Sequence, residues 1–487
     1  MKQKVYFSVL SLATATLAFA AEEQNIISER LNDQRIQTET TVTRPNVSEL
    51  PQLQNTQARA ETNSVSMTKE ELAQHPDLIV RALLPAVMEG NADNVELLFP
   101  LYEKLPSQYH DPILTQWSKA ILAKKRQNYA ESIRIYREIL ANQSDILPAR
   151  LQLAVALFEN NELEAAEDQL QRLRAEPLAP QIQQIIEQYL VAINNRDRWT
   201  FGGGFTFLND PNINNAPKSG TTFGNWRGPK SESGRGIGFN FDIGKKWSWG
   251  DGFFNELRIN SSGKYYWNNK KYNDFSARGS FGLGFQNIKH NIAVLPFIEH
   301  TWYAGGSSSS ETLKHFSRSY GVTGEYSYWL SPQWQVNANY EYGEQRYDSR
   351  KHLNGHYHFV SSGLLFLANA KQYWFANVNY NRTSTRDKDD SFYRRGVSLG
   401  WGQEWGQGLS TRLSVSFAQK RYKAPMPIFE ITQRNKEYGF NASIWHRAVH
   451  FWGITPRLTY NFTKTKSNHV FYSYDKHRVF IDFSKRF

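Results

Sequence analysis

The side chains whose types could support chemistry in this sequence are a group of histidines at His352, His356 and His358. Imidazoles at this spacing could hold a metal ion or act as general bases. They lie in and beside a predicted loop between two strands, where polar side chains are ordinarily solvated. We therefore interpret them as solvated loop residues and expect no metal site.

An enzyme would also need a nucleophile, a base and an orienting group within reach of one another. The sequence has no HExxH or Walker motif, and no carboxylates are paired at a convincing spacing. Gly202, Gly203 and Gly204 fall within a predicted strand and precede no helix that could bind phosphate. Lone serines and histidines on strands could mimic a lipase triad, but nothing marks them as one. We predict no catalytic residue and no cofactor.

The elements that would position any site differ between the two halves of the chain. Residues 1–200 carry 20 Lys+Arg against 26 Asp+Glu, whereas residues 201–487 carry 37 against 20, and 13 of the 14 Trp lie at or after Trp199. A basic half could suggest nucleic acid, but no basic helix or RNA-binding signature accompanies the charge. We therefore expect no nucleic-acid partner.

The N-terminus is typical of an exported protein. Lys2 and Lys4 precede an apolar run that ends in Ala18-Phe19-Ala20, which predicts a signal peptide over residues 1–20. Residues 21–66 are polar and read as a flexible periplasmic lead-in. The absence of Cys excludes disulfides and thiolate metal sites.

Residues 67–195 show helical spacing and a repeat of 34 residues, the tetratricopeptide period. Small residues recur at Ala86, Ala120 and Ala154, and a larger column contains Tyr102, Tyr136 and Leu170. Residues 181–194 are predicted to form a capping helix. On the concave face of this array we predict client-binding residues Trp117, Lys124, Lys125 and Phe158. The alternative for Trp117 and Phe158 is core packing, the more frequent role of aromatics at helical spacing.

From 199 to 487 the apolar period changes to two, and Tyr and Trp gather at strand ends. We predict fourteen strands, with short turns at one end and long loops at the other, as in outer-membrane barrels. The predicted fold is α+β and multidomain: an N-terminal α-solenoid of tetratricopeptide repeats followed by a 14-stranded antiparallel transmembrane β-barrel. With an even strand number both barrel termini are expected in the periplasm, together with the repeats.

Polar residues between the apolar strand positions are predicted to line the barrel lumen. They comprise Arg258, Gln335, Asn337, Asn339, Glu341, Asn377, Asn379, Asn381, Arg412, Arg457 and Asn461. Two interpretations remain open: an ordinary water-filled interior, or a wall that hydrogen-bonds a passing backbone. The last strand ends on Phe483 and Phe487, which we predict to be the assembly signal for the barrel insertion machinery and to contact outer-membrane lipid.

This combination of signal peptide, polar lead-in, repeat array and barrel resembles the Slam family, the surface lipoprotein assembly modulators of Gram-negative bacteria. The resemblance implies an outer-membrane translocon without a cofactor that helps particular lipoproteins, or secreted haem- and iron-binding clients, to reach the cell surface. Two alternatives stay open at this point. A polysaccharide export porin also joins such repeats to a barrel, and an outer-membrane acyl hydrolase is the enzyme alternative.

Overall fold

The computed structural model describes residues 69–197, 199–250, 252–287, 289–306, 310–331, 333–369, 371–446, 448–449 and 454–486. The predicted signal peptide, the lead-in and Phe487 lie outside these residues. The described chain begins with helices, whose bounds are α1 Lys69–Leu72, α2 Pro76–Met88, α3 Ala92–Tyr102, α4 Pro112–Lys125, α5 Tyr129–Asn142, α6 Leu147–Glu159, α7 Leu163–Arg174 and α8 Pro180–Arg196.

The helices pair into three hairpins, α2–α3, α4–α5 and α6–α7, and the first helix of each ends in the same way. Gly90, Gln127 and Asn161 adopt left-handed backbone angles, with φ of 69°, 60° and 67°. The next residue then donates its N–H to a carbonyl five residues back, as Asn91 does to Ala86 at 2.8 Å. This is the Schellman ending, which reverses the chain tightly.

The columns of the 34-residue repeat form the core of the solenoid. Ala86, Ala120 and Ala154 are at most 4 % exposed, so the two helices of each hairpin approach closely there. Tyr102, Tyr136 and Leu170 are at most 1 % exposed and pack in the same core. The tetratricopeptide register read from the sequence is therefore the register in which the helices pack.

A closed antiparallel barrel of fourteen strands follows, and it confirms the predicted fold class. The strands are β1 Thr200–Asp210, β4 Gly234–Gly250, β5 Phe253–Tyr266, β6 Asp274–Gln286, β7 His290–Tyr303, β8 Lys314–Ser331, β9 Trp334–Tyr347, β10 Gly355–Asn369, β11 Gln372–Thr385, β12 Phe392–Glu404, β13 Leu409–Tyr422, β14 Arg434–His446, β15 Arg457–Ser467 and β16 Tyr474–Arg486. A separate small hairpin, β2 Thr222–Phe223 with β3 Trp226–Arg227, lies between β1 and β4.

The connections define two ends of the barrel. The turn end contains the β4–β5 connection at 251–252 and the β10–β11 connection at 370–371, together with the start of β1 and the end of β16. The opposite, loop end contains the long segment 211–233 and the segment 423–433. Among the helices of the described residues, none combines the length and the apolar character needed to cross a bilayer.

The outward face of the barrel is apolar. Val378, Val397, Val415 and Val479 lie on different strands, and each exposes 50–56 % of its surface. A sheet closed on itself satisfies its own backbone hydrogen bonds, and a barrel with apolar side chains outward can therefore span a lipid bilayer. This barrel is a membrane-spanning element of the outer membrane.

Candidate functional site

The barrel lumen is lined by the residues that alternate with this apolar face. In β9, for example, Asn337, Asn339 and Glu341 alternate with the outward Val336, Ala338 and Tyr340. Directly opposed residues of an antiparallel ladder share a face, so the register carries this assignment from strand to strand. The structure places all the predicted lumen residues on the inner face: Arg258, Gln335, Asn337, Asn339, Glu341, Asn377, Asn379, Asn381, Arg412, Arg457 and Asn461.

Several of these residues are held by partners that the sequence analysis did not identify. Glu341 is 4 % exposed and accepts hydrogen bonds from Arg278 at 3.0 and 3.1 Å, from the Thr323 hydroxyl at 3.1 Å and from the Tyr357 hydroxyl at 2.6 Å. Arg278 also lies 3.7 Å from Glu299. The carboxylate of Glu341 is thus committed to the wall of the lumen.

Arg258 belongs to a second charged cluster on the inner face. It makes two hydrogen bonds of 2.9 Å to Glu256, a bidentate pair, and one of 2.7 Å to Glu325. A bidentate guanidinium–carboxylate pair fixes both groups in direction as well as distance. The positive charge of Arg258 is therefore neutralised within the wall.

A third cluster lies across strands β11, β12 and β14. Arg394 donates to Glu437 at 2.8 Å and to the amide oxygen of Asn379 at 3.0 Å. Arg412 and Arg457 instead lie over aromatic rings, at 4.8 Å from Phe375 and 4.6 Å from Trp445. Arg394 is therefore paired with an anion, whereas the ring faces hold the guanidinium groups of Arg412 and Arg457 without neutralising their charge.

Part of the inner face keeps unused hydrogen-bonding capacity. Asn377 Oδ1, Ser398 Oγ and Arg457 Nε are buried, and none has a hydrogen-bond partner among the described residues. Asn377 and Ser398 are directly opposed on β11 and β12, with Ser416 next to them on β13. We call Asn377, Ser398 and Ser416 the polar strip.

Ser398 also lies within a Gly-x-Ser-x-Gly sequence at 396–400, a motif of serine hydrolases that the prediction of no catalytic residue did not take into account. In those enzymes the serine occupies a sharp strand-to-helix turn. Here the motif lies within β12, and the Ser398 hydroxyl has no hydrogen bond to a base among the described residues. The motif therefore does not form a nucleophile elbow.

The barrel closes between β1 and β16, and this seam is unlike the other ladders. Backbone pairing runs from Gly202 opposite Arg486 to Thr206 opposite Asp482, although β1 pairs with β4 along all of Thr200–Asp210. Nearer the loop end, a buried ion pair connects the two strands, with Lys476 Nζ at 3.2 Å from Asp210 Oδ2. In the loop-end half, side chains replace backbone hydrogen bonds across the seam.

The predicted assembly signal lies at the same seam. Phe483 stacks on Phe205 of β1 with ring centroids 4.6 Å apart. Val479 and Ile481 share its outward face and are exposed. The terminal strand thus offers an apolar outward surface, while Phe487 lies beyond the described residues.

The long segment 211–233 packs against other loops at the loop end. The ring centroid of Phe223, in the small hairpin of this segment, lies 4.9 Å from that of His469 and 5.7 Å from that of Phe429. His469 is fully buried, and this burial lowers its pKa. An ion pair of 2.7 Å between Glu232 and Lys271 attaches the segment to the β5–β6 loop.

His352, His356 and His358 do not come together as a metal site. His358 Nδ1 lies 2.9 Å from the Tyr340 hydroxyl on the outward face, whereas His352 lies in the loop, 4.0 Å from Asp390. Within the described ranges, no group of three or more His, Asp or Glu side chains is arranged to hold a metal ion.

On the solenoid, the prediction for two of the four client-binding residues is wrong. Trp117 is 4 % exposed and donates its indole N–H to Gln152 at 2.7 Å, and Phe158 is 1 % exposed, in edge contact with Tyr189. Both are core residues, because neighbouring hairpins cover them. A helical pattern in one hairpin cannot show which face the next hairpin covers.

Lys124 and Lys125 remain at the surface and are held by carboxylates. Lys124 lies 3.1 Å from Glu159, and Lys125 lies 2.6 Å from both Asp93 and Glu96. The hydrogen bond to Asp93, followed by that to Glu96, raises the pKa of Lys125. These contacts join neighbouring hairpins, so a client would have to compete for the two ammonium groups.

The solenoid also has an open groove that the sequence did not reveal. It has a volume of about 430 Å³ and is lined by Ala130, Ile133, Arg134, Arg137, Glu138, Ala141 and Glu162. Its floor is apolar and its rim carries both signs of charge. The 34-residue pattern gave no signal for it, because grooves form between helices.

The solenoid is joined to the turn end of the barrel. Asp197, after α8, accepts a 2.7 Å hydrogen bond from the backbone N–H of Ser248 and one of 2.9 Å from its hydroxyl. Asn161, at the α6–α7 turn, donates to the Gln286 carbonyl at 3.4 Å. The third hairpin therefore lies beside the strand ends that surround the lumen.

Fold and site together define a class of protein: an outer-membrane β-barrel with a polar, charge-paired lumen and a tetratricopeptide solenoid at one end. The family described as surface lipoprotein assembly modifier matches residues 199–487, and its N-terminal TPR repeats match residues 65–170. The chain belongs to the surface lipoprotein assembly modifier family.

Individual relatives extend over most of the chain. Surface lipoprotein assembly modifier 1 of Haemophilus influenzae is 49 % identical over 87 % of this chain and 88 % of its own length. Surface lipoprotein assembly modifier 1 of Neisseria meningitidis serogroup B is 35 % identical over 88 % and 87 %. Hemophilin secretion modulator of Acinetobacter baumannii is 23 % identical over 85 % and 86 %.

Proposed function

We propose that this protein is an outer-membrane translocon that assists the export and surface display of specific lipoproteins or of related haem- and iron-acquisition proteins. Residues 67–195 recruit the client in the periplasm, and residues 199–487 form its conduit, without catalysis. Family membership supports this function over polysaccharide export and lipid hydrolysis, as do the names of the relatives from Haemophilus and Acinetobacter.

The lengths of the connections support one orientation of the barrel in the membrane. Outer-membrane barrels have their short turns in the periplasm and their longer loops outside. The turn end carries the start of β1, and therefore the solenoid, so we assign this end to the periplasm. A signal peptide over residues 1–20 would deliver the chain there, and the apolar terminal strand that contains Phe483 would be offered to the insertion machinery.

The lumen wall contains two kinds of surface: charged groups that are already paired, and a polar strip with free hydrogen-bonding atoms. This difference is the observation that supports a role for the barrel as a conduit. Charged groups such as Arg258 and Glu341 are already paired, so they would not hold a passing chain tightly. The polar strip at Asn377 and Ser398 retains free hydrogen-bonding atoms. An extended backbone presents unpaired N–H and C=O groups, and such a strip can satisfy them in passing.

The size of the lumen limits the state of the client. Fourteen strands about 4.8 Å apart and tilted by roughly 40° close to a backbone radius of about 14 Å, and side chains narrow the opening to about 18 Å. A folded domain of about 100 residues is roughly 33 Å across. The client must therefore cross as an extended or hairpin segment, and folding at the surface would pull it outward.

The seam provides an exit for the lipid anchor of the client. Acyl chains are unfavourable in a polar lumen and favourable in the bilayer. The loop-end half of the β1–β16 contact depends on side chains such as Asp210 and Lys476, and it can open with less loss of backbone hydrogen bonds than any fully paired ladder.

A client with a reversible lock tests the conduit. A lipoprotein whose display depends on this chain is identified by protease shaving of a deletion strain, and a disulfide is engineered to keep its folded domain closed. The locked client should stall and cross-link to the repeats, and reduction should release it. Display of the locked form at the level of its two single-cysteine controls would refute passage through the lumen.

The path itself is tested by cysteine cross-linking, because the natural chain has no Cys. Asn377→Cys places a thiol on the inner face, and Val378→Cys, the matched control on the adjacent residue, places it outward. A stalled client with a single cysteine should form a disulfide with the first variant. Equal cross-linking to both variants would contradict passage along the polar strip.

A further inference from the structure

The outward face of the barrel changes character toward the loop end on strands β8 to β15. On β13 the outward positions run from the apolar Val415 and Phe417 to Arg421, and on β15 from Leu458 and Phe462 to Lys466. Each cation thus lies one or two outward positions beyond the apolar band. This is the depth at which lipid headgroups meet acyl chains.

Six cations at outward positions near the loop end are directly opposed in pairs across neighbouring strands. The pairs are Arg318 with Arg346, Arg421 with Arg434, and Lys436 with Lys466. We call these six residues the basic arc. Like charges directly opposite in a sheet are destabilising, and their Cβ atoms are about 4.5–5.5 Å apart.

Protein carboxylates compensate only one end of the arc. Arg346 pairs with Glu344 at 2.6 Å. Across the described part of the chain, no carboxylate lies within salt-bridge distance of four cations of the arc, which are Arg421, Arg434, Lys436 and Lys466. Four cations in two opposed pairs therefore lie on an exposed face beside the lipid with no internal counter-charge.

We propose that the basic arc binds the phosphate groups of the glycolipid in the outer leaflet. A phosphate bridging two opposed cations would convert their repulsion into two charge-assisted hydrogen bonds, and guanidinium groups match phosphate geometry. The acyl chains of the same lipid would lie on the apolar band below. The site rests on the proposed orientation, in which the loop end faces outward.

The arc occupies one side of the barrel. On β1, β4 and β5 the outward face toward the loop end carries aromatic side chains, including Phe207, Phe239 and Tyr265, which are 40–48 % exposed. The one cation at the outermost outward positions of β1 and β4 is Arg235, which is opposed by Asn209 and not by a second cation. Phosphorylated glycolipid would therefore be held along β8 to β15. The sector next to the β1–β16 seam would keep a surface of aromatic side chains.

The test uses the full-length protein purified in detergent and native mass spectrometry with three probes: diphosphorylated lipid A, its dephosphorylated form and phosphatidylglycerol. The arc variant combines Arg421→Gln, Arg434→Gln, Lys436→Gln and Lys466→Gln. The matched control removes four exposed loop cations by Lys218→Gln, Lys230→Gln, Lys351→Gln and Lys388→Gln. Heat-modifiable migration in gels reports barrel folding for every variant.

We expect the wild type and the loop control to bind diphosphorylated lipid A about tenfold more tightly than the arc variant does. The dephosphorylated lipid should bind all three proteins weakly. Equal binding by a folded arc variant, or equal competition by phosphatidylglycerol, would overturn the proposal. If the arc variant does not fold, rising salt must displace lipid A from the wild type, because this binding is electrostatic.

This result is separable from the translocation function. Loss of lipid A binding with normal client display would support the arc as a lipid site only. Normal lipid A binding by the arc variant with loss of client capture would refute the lipid assignment and indicate an acidic protein segment as the ligand. Neither outcome depends on whether the client passes through the lumen.

Discussion

Replacing Gln152 by Leu should loosen the solenoid, because this one side chain connects three hairpins. Its Oε1 accepts hydrogen bonds from the Trp117 indole at 2.7 Å and from the Tyr136 hydroxyl at 2.8 Å. Its Nε2 donates to the carbonyls of Val87 and Met88 at 2.9 and 3.1 Å. Leucine preserves the volume but none of these bonds.

The magnitude follows from the groups left behind. Trp117 and Tyr136 are 4 % and 1 % exposed, so water cannot replace the lost acceptor. Leaving a buried donor unsatisfied costs about 1–3 kcal/mol each. The Val87 carbonyl keeps its bond from Gly90 and adds little. We expect a loss of about 2–4 kcal/mol, which lowers the Tm of a domain of this size by roughly 10 °C.

The assay is thermal unfolding of a fragment covering residues 67–195. Trp117 is the only Trp in that range, so its fluorescence reports on the site directly and should shift to the red in the variant. Gln171→Leu is the matched control, because Gln171 is exposed on α7. If Gln152→Leu melts together with Gln171→Leu and the wild type, the hydrogen bonds of Gln152 do not hold the hairpins together.

Three further predictions concern the repeats and one loop. Residues 67–195 should express as a soluble helical protein because the hairpins bury a core, and a far-UV spectrum of strand or coil would contradict this. Ala154→Phe should cost about 1–3 kcal/mol by overpacking, since Ala154 is fully buried, and an unchanged melting curve would mean that the helix register is wrong. Burial, together with the charges of Asp389 and Asp387, raises the pKa of Asp390 from 3.8 to about 7. Between these values the folded loop holds a proton that the unfolded loop lacks, so the stability of loop 386–391 should fall as the pH rises through this window. Hydrogen exchange of the loop, corrected for intrinsic rates, should show this fall in the wild type and not in Asp390→Asn.

Features of the candidate site that depend on residues close together in the sequence could be predicted, and those that depend on distant residues could not. Alternation along a strand is local, so the inward positions of Asn337, Asn377 and Arg457 could be derived from the period of two. Their partners could not, because Arg258 meets Glu325 and Arg278 meets Glu341 across several strands. Only the stagger of the closed sheet determines which side chains lie at the same height.

The sequence by itself determined the repeat register, the strand number and the two faces of each strand, because these follow from periods of 34 and two residues. Tertiary structure decided that Trp117 and Phe158 are core, since the neighbouring hairpins cover them. It also decided how segment 211–233 packs and where β1 and β16 lose their backbone pairing. Each of these features depends on contacts between distant segments, and a linear pattern contains no information about which surfaces closure brings together.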